Sequence, residues 1–212
     1  MTARIVTIAQ QKGGAGKTTL AAHLVAAWAP TLRVAVADID PQASLSHWVE
    51  LRRARLGADR IGFTHSQLQG WRLAVEAERL ARDHDIVVID SPPHLETEAK
   101  IAIRAAHIVV VPLQPSPIDV WATRPTLDLA RLERRPVLMV LNRLPARARL
   151  TSEMAQGAAG YGVAVAQAAL GNRVAFAASM ALGLGVTEAD PDSPAAEEIA
   201  ALAREILARL AG

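Results

Sequence analysis

Gln10-Gln11-Lys12-Gly13-Gly14-Ala15-Gly16-Lys17-Thr18-Thr19-Leu20 carries three glycines, two lysines and two threonines in eleven residues. Glycines at this density leave room for backbone N–H groups to turn inward around phosphate oxygens. Lys17, after Gly16, is placed to reach terminal phosphates, and the Thr18 hydroxyl to ligate Mg²⁺. The strict phosphate-loop pattern wants glycine five places before the Gly-Lys pair, and Gln11 stands there instead. Lys12 is a second lysine that such a loop does not require. Of 23 basic residues only Lys12, Lys17 and Lys100 are lysines, so two of the three fall in one loop. A compact ammonium suits that place better than the broad guanidinium used elsewhere.

Three acids follow apolar runs. VAVADIDPQ ends with Asp38 and Asp40, and DIVVIDSPP with Asp90. An acid at the end of a buried strand can help hold Mg²⁺ beside a phosphate loop. Asp38 is assigned to the metal's outer shell and Asp40 to orienting the attacking water. Both are expected to point the same way if strand alternation persists between them.

These residues need strands that end together and helices that begin there. Arg4–Ala9 reads as a buried strand and Thr18–Trp28 as the helix after the loop, whose N-terminus favours anions. Further strands are expected at Arg33–Ala37, Asp85–Ile89, Ile108–Val111 and Val137–Leu141, with weaker ones at Ile61–Thr64 and Val163–Ala166. Helices are expected near Ala43–Arg53, Gln67–Arg82, Thr97–Ala106, Val120–Arg131, Thr151–Gly157 and Ala195–Leu210. Repeated βα units with near-continuous apolar strands imply an α/β fold: a mostly parallel twisted sheet with helices on both faces, its ligand edge at the carboxyl ends of the strands. No linker or repeat divides the chain, so residues 1–212 are read as one domain.

Composition narrows the chemistry. There are no cysteines, which excludes disulfides, Cys-ligated zinc and iron–sulfur clusters. A net charge of +2 is too mild to establish a nucleic-acid partner. No signal peptide precedes the first strand and no long uncharged apolar run is present, so a soluble cytoplasmic protein is expected.

Together, KGGAGKTT, DIDPQ and VVIDSPP resemble the ParA/MinD group of deviant Walker A, P-loop ATPases across essentially the whole chain. VVVPLQPSPIDVW (residues 109–121) is similar to small ParF-like partition proteins. The resemblance implies ATP and Mg²⁺ as cofactors, with Gly13, Gly14, Ala15, Gly16, Lys17, Thr18 and Thr19 around the phosphates and Thr18, Asp38 and Asp90 serving the metal. Lys12, Lys17 and Asp40 would carry catalysis. Lys12 matches the signature lysine that reaches the ATP of a partner subunit across a two-fold interface, where two buried triphosphates need added cations. VLNR implies adenine contacts from Asn142 and Arg143, and Asp190-Pro191 resembles a turn beside base and ribose.

The family also implies an ATP-dependent homodimer, slow hydrolysis stimulated by a ParB-like or ParG-like partner, non-specific DNA binding and a nucleoid-associated location. Candidate DNA contacts are Arg52, Arg53 and Arg55; Arg131, Arg134 and Arg135; and, preferred, Arg143, Arg147 and Arg149. The sequence opens on the first strand, so no operator-binding extension is expected. The last helix is read as packed on the sheet through Ile199, Leu202, Ile206 and Leu210, so no membrane partner is expected. His94 is a switch candidate after Asp90. Two alternatives remain: a metabolic P-loop synthetase, and a MinD-like, membrane-cycling regulator of the division site.

Overall fold

The structure is a computed structural model and describes residues 3–93, 96–145 and 160–211. Its strands are β1 (Arg4–Ile8), β2 (Val34–Asp38), β3 (Thr64–Gln67), β4 (Ile86–Asp90), β5 (Ile108–Leu113), β6 (Val137–Leu141) and β7 (Ala164–Val165). They form one sheet in the order β3-β2-β4-β1-β5-β6-β7, and every pairing is parallel. Its helices are α1 (Lys17–Trp28), α2 (Ser44–Leu56), α3 (Leu73–Asp83), α4 (Glu96–Ala105), α5 (Pro117–Leu132), α6 (Val174–Ala181), α7 (Val186–Ala189) and α8 (Pro194–Ala211).

Period-two alternation divides the strand side chains between two cores. Val6, Ile8, Val34, Val36, Ile86, Val88, Val110 and Leu138 pack with α1, α2 and α8. Val87, Ile89, Val109, Val111 and Met139 face the other way, beneath α3, α4 and α5. Parity then fixes the acids. Asp38 follows Val34 and Val36, and Asp90 follows Ile86 and Val88, so both fall on the α1/α2 face. They are register partners on adjacent strands.

α1 is apolar around most of its circumference, as a helix clasped between sheet and neighbours must be. α8 closes that side: Ile199, Leu202 and Ile206 are fully buried, and the Trp28 indole N–H donates to the Ala203 carbonyl at 3.3 Å. Among the described residues no helix is long and apolar enough to cross a membrane.

The sequence expectation differs from the structure in places. Gln67 closes β3 rather than opening a helix; a 3₁₀ turn at Gly70–Arg72 leads into α3. β3 pairs three residues beyond the start of the expected Ile61–Thr64 strand, because its polar THSQ sequence lies at the sheet edge. α5 begins before Val120, with Ser116 as cap and Pro117 in the first turn. The α6 and α7 helices were not anticipated. The expected helix at Thr151–Gly157 lies outside the described residues.

Candidate nucleotide site

The loop between β1 and α1 turns on glycines in the left-handed region: Gly14 has φ 77° and Gly16 φ 93°. Gly16 is the N-cap of α1 and no side chain caps that end. The first amides of α1 are therefore without a side-chain acceptor, as an anion site requires. The loop's incoming arm is held by α5 and the strand before it. Gln10 donates to the Thr123 hydroxyl at 2.9 Å, the Gln11 amide donates to Thr126 at 3.2 Å, and Gln114 donates to the Gly14 carbonyl at 2.9 Å. Asn142, at the end of β6, donates from Nδ2 to the Ala15 carbonyl at 2.9 Å.

Lys17 is buried, with its ammonium pKa lowered by loss of water and supported by the charges of Asp90 and Asp40. Thr18 donates its hydroxyl to Asp90 Oδ2 at 2.7 Å, while the buried Asp90 Oδ1 has no hydrogen-bond partner. Burial pushes the Asp90 carboxyl up to about 7; the Thr18 hydrogen bond works against that, and the neighbouring Asp38 charge adds to it.

An orphaned, buried carboxylate oxygen beside a threonine hydroxyl fits a hard cation with oxygen ligands. Among the described residues no group of three or more His, Cys, Asp or Glu could hold a metal. Mg²⁺ is a hard cation of this kind, taking one or two protein oxygens and completing its shell with phosphate and water.

A cavity of about 240 Å³ opens over the loop, lined by Gly13, Gly14, Gly16, Lys17, Thr18, Thr19, Asp40, Pro93 and Arg143. A second, of about 330 Å³, is lined by Gly16, Thr19, Leu20, Asn142, Arg143, Leu170–Phe176 without Ala175, and parts of α1, α6 and α8. Glycines, threonines and charged side chains dominate the first lining, and apolar residues of α1, α6 and α8 add to the second.

Residues 6–206 match the family described as the CobQ/CobB/MinD/ParA nucleotide binding domain. The chain belongs to that family. Among curated proteins, this ParA/MinD family member is 29% identical over 210 residues to "Maintenance of carboxysome distribution protein A" of Halothiobacillus neapolitanus, covering 95% of both chains. It is 29% identical over 240 residues to "Chromosome-partitioning ATPase Soj" of Thermus thermophilus, covering 98% of this chain and 96% of the relative. Among solved structures, the complex of a Cyanothece McdA variant with ATP aligns with TM-score 0.79 at 17% identity, covering 98% and 97% of the two chains. The septum site-determining protein MinD of Pyrococcus horikoshii with Mg-ADP aligns with TM-score 0.78 at 20% identity, covering 99% and 98%. Those structures establish the ParA/MinD fold for this chain.

Within this family member, the structure gathers Gly13, Gly14, Gly16, Lys17, Thr18, Thr19, Asp40 and Arg143 around one cavity, with Ala15 buried beneath the loop and Asp90 against Thr18. Asp38 does not line that cavity, but it is the register partner of Asp90 on the adjacent strand. The strand ends at Asp38, and of the two acids only Asp40 lines the cavity. Asp38 accepts from the Asp40 amide at 3.1 Å and from the Ser46 amide and hydroxyl at 2.8 and 2.7 Å, which pins the first turn of α2. Ser46 in turn contacts His65 at 3.0 Å. Asp38 thus anchors the start of α2 and is also the register partner of Asp90, beside which an outer-shell metal role is expected of it.

Asn142 both braces the loop and lines the larger cavity. Its Nδ2 donates to the Ala15 carbonyl and its Oδ1 accepts from the Arg143 amide, at 2.9 Å each. Asp190 and Pro191 are exposed and line neither cavity; Asp190 accepts from Ser193 in the turn before α8. Residues of the Leu170–Phe176 segment line the larger cavity. Its signal in the sequence is slight: Gly171-Asn172 breaks an apolar run, with no charged motif.

Lys12 is half-buried, and its ammonium meets Asp119 Oδ1 of the same chain at 2.7 Å. In the first arginine cluster Arg55 is exposed and Arg53 half-buried, but Arg52 is not a surface residue. Arg52 is 3% exposed, pairs with Glu188 at 2.6 Å and lies against Trp48 and Phe63. Arg131 pairs with Asp128 and donates to the Tyr161 carbonyl. Arg147, Arg149 and His94 lie outside the described residues.

Proposed function

We propose that this chain binds Mg²⁺-ATP at the loop and hydrolyses it, cycling between a monomer and a nucleotide-dependent homodimer that distributes a cellular cargo along DNA. The observation that carries the reading is the convergence, on one sheet edge, of Lys17, Thr18 and Asp90 with an uncapped helix N-terminus. In this assignment Gly13 to Thr19 cradle the phosphates, and Lys17 neutralises their charge. Thr18 and Asp90 would hold the cation, which supplies charge stabilisation when bound. Asp40, at the rim of the smaller cavity, orients the water that attacks the terminal phosphate. Lys12 would serve the nucleotide of the second subunit.

The similarity to a carboxysome-distribution protein and to a chromosome-partitioning ATPase supports cargo positioning as the role. Non-specific DNA contact, stimulation by a ParB-like or ParG-like partner, and a cytoplasmic, nucleoid-associated location belong to the same proposal. Residues 1–212 would act as one ATPase domain.

The test is ATP turnover with Mg²⁺, combined with sedimentation and arbitrary duplex-DNA shift assays in ATP and in ADP. Slow turnover, lost in Lys17→Ala, with self-association and DNA binding in ATP only, is the expected result. Equal DNA binding in ATP and ADP would remove the switch. Turnover only when a small-molecule co-substrate is added would make the chain a synthetase instead.

A further inference from the structure

We infer that His65 and Ser46 are positioning residues for ATP turnover, acting through Asp38 to fix the backbone of Asp40. This rests on the ATPase reading above and on the assignment of Asp40 to the attacking water.

The chain of contacts starts at the sheet edge. His65 is the register partner of Val36, whose side chain packs on the α1/α2 face, so the imidazole is turned toward α2. Ser46 meets it there, with Oγ 3.0 Å from His65 Nε2, and the same hydroxyl donates to Asp38 Oδ2 at 2.7 Å. A hydroxyl has one proton, and a carboxylate accepts without donating. The Ser46 proton therefore points to Asp38, and His65 donates from Nε2. Burial first, and the Arg53 charge second, lower the His65 pKa against the pull of Asp38 and Glu50. Near neutral pH the ring is uncharged, and its single proton sits on that nitrogen.

Local structure explains why Asp38 is needed. Ala43 is the N-cap of α2, with φ 51° and no side-chain cap hydrogen bond. Asp38 supplies the missing acceptor from β2, its Oδ2 taking the Ser46 amide at 2.8 Å as well as the hydroxyl. Its Oδ1 is then turned to the Asp40 amide, at 3.1 Å. A helical serine hydroxyl can instead turn back to a carbonyl one turn earlier. By occupying a lone pair of Oγ, the His65 N–H keeps the hydroxyl proton on Asp38. Asp40 lines the cavity over the phosphate loop, and the direction of its carboxylate follows from its backbone. A small misplacement there slows the attack of water without loosening the nucleotide.

Steady-state kcat and KM for Mg²⁺-ATP, beside equilibrium dialysis of Mg²⁺-ADP, test this on the full chain. His65→Leu and Ser46→Ala are each expected to lower kcat by roughly five- to tenfold, the worth of one hydrogen bond, with KM and ADP affinity unchanged. The double variant should lose no more than Ser46→Ala alone, because His65 acts only through Ser46. His65→Gln returns an N–H donor and Ser46→Thr keeps the hydroxyl, so both should recover most of the rate. Thr64→Val removes a neighbouring hydrogen bond of the same strand, to His84 Nε2 at 2.8 Å, and should leave kcat at the wild-type value. Unchanged kcat in both single variants, additive losses in the double, or an equal loss in Thr64→Val overturns the inference and leaves the ATPase reading standing. So does weaker Mg²⁺-ADP binding in place of slower turnover. A wild type without turnover removes the functional reading, and this inference with it.

Discussion

The ammonium of Lys12 lies 2.7 Å from the carboxylate of Asp119, within one chain. Asp119 is itself held in the first turn of α5, where its amide donates to Ser116 Oγ at 3.1 Å and the Ser116 hydroxyl donates to its other oxygen. If Lys12 serves the nucleotide of a second copy, this pair must open first. The pair then favours the monomer, by about 1 kcal/mol for a partly exposed ion pair. Asp119→Asn should strengthen ATP-dependent self-association by roughly fivefold per protomer. Lys12→Ala should abolish it. Sedimentation equilibrium in ATP and in ADP reads both, and weaker association in Asp119→Asn would mean that Asp119 guides Lys12 instead of restraining it.

The two left-handed loop glycines should respond differently to alanine. A Cβ on Gly16 would lie 2.5 Å from Asn142 Nδ2, while one on Gly14 would meet nothing within 4 Å. Gly14→Ala carries only the left-handed strain, about 1–2 kcal/mol. Gly16→Ala also displaces Asn142 from Ala15, and should cost about 3 kcal/mol in total. Urea unfolding of the nucleotide-free chain measures the difference. Equal losses would show that Asn142 moves aside freely and does not brace the loop.

The parallel sheet and the phosphate loop were legible because both depend on local pattern. Runs such as IVVID and VLMVL have no polar face, and GGAGKTT has few structural uses. Asp90 was legible for the same reason, as an acid that ends such a run. Asp38 ends an equally apolar run, but its tie to Ser46 was not legible, because Ser46 sits a turn and a helix start away. Nothing in DIDPQ says that the first carboxylate also holds the start of α2. Asp119 was harder still: it lies 107 positions from Lys12 and is joined to it only by the fold. Arg52 reads as part of a basic cluster, yet Glu188, 136 positions on, draws it into the core.

Asp38 and Asp40, two residues apart, should separate stability from activity. Asp38 is fully buried and accepts from the Asp40 amide and from both Ser46 donors. Asp38→Ala leaves those donors unmatched and should cost about 3 kcal/mol or more. Asp40 is half-buried, with its own carboxylate engaged by the Gln42 amide at 2.9 Å. Asp40→Ala should cost under about 1 kcal/mol, keep ATP binding and lose most turnover. Denaturant midpoints beside steady-state ATPase rates check the pair. Normal hydrolysis in Asp40→Ala would end its assignment to the water.

Asp90 gives the site a pH dependence with a definite sign. Its carboxyl titrates near 7 in the folded chain, chiefly through burial, against an ordinary value of 3.8. Between those values the folded state binds the extra proton, so this group's contribution to stability is present below pH 3.8 and lost as pH rises through about 7. Wild type should therefore lose stability relative to Asp90→Asn between pH 4 and 8, without nucleotide. Cation binding at Thr18 and Asp90 requires the ionised form, so Mg²⁺-ADP affinity should rise with pH over the same interval. At pH 6 its binding should release a proton, seen calorimetrically as a heat that varies with the ionisation enthalpy of the buffer. Heats that do not depend on the buffer, in wild type and variant alike, would place the cation on other ligands.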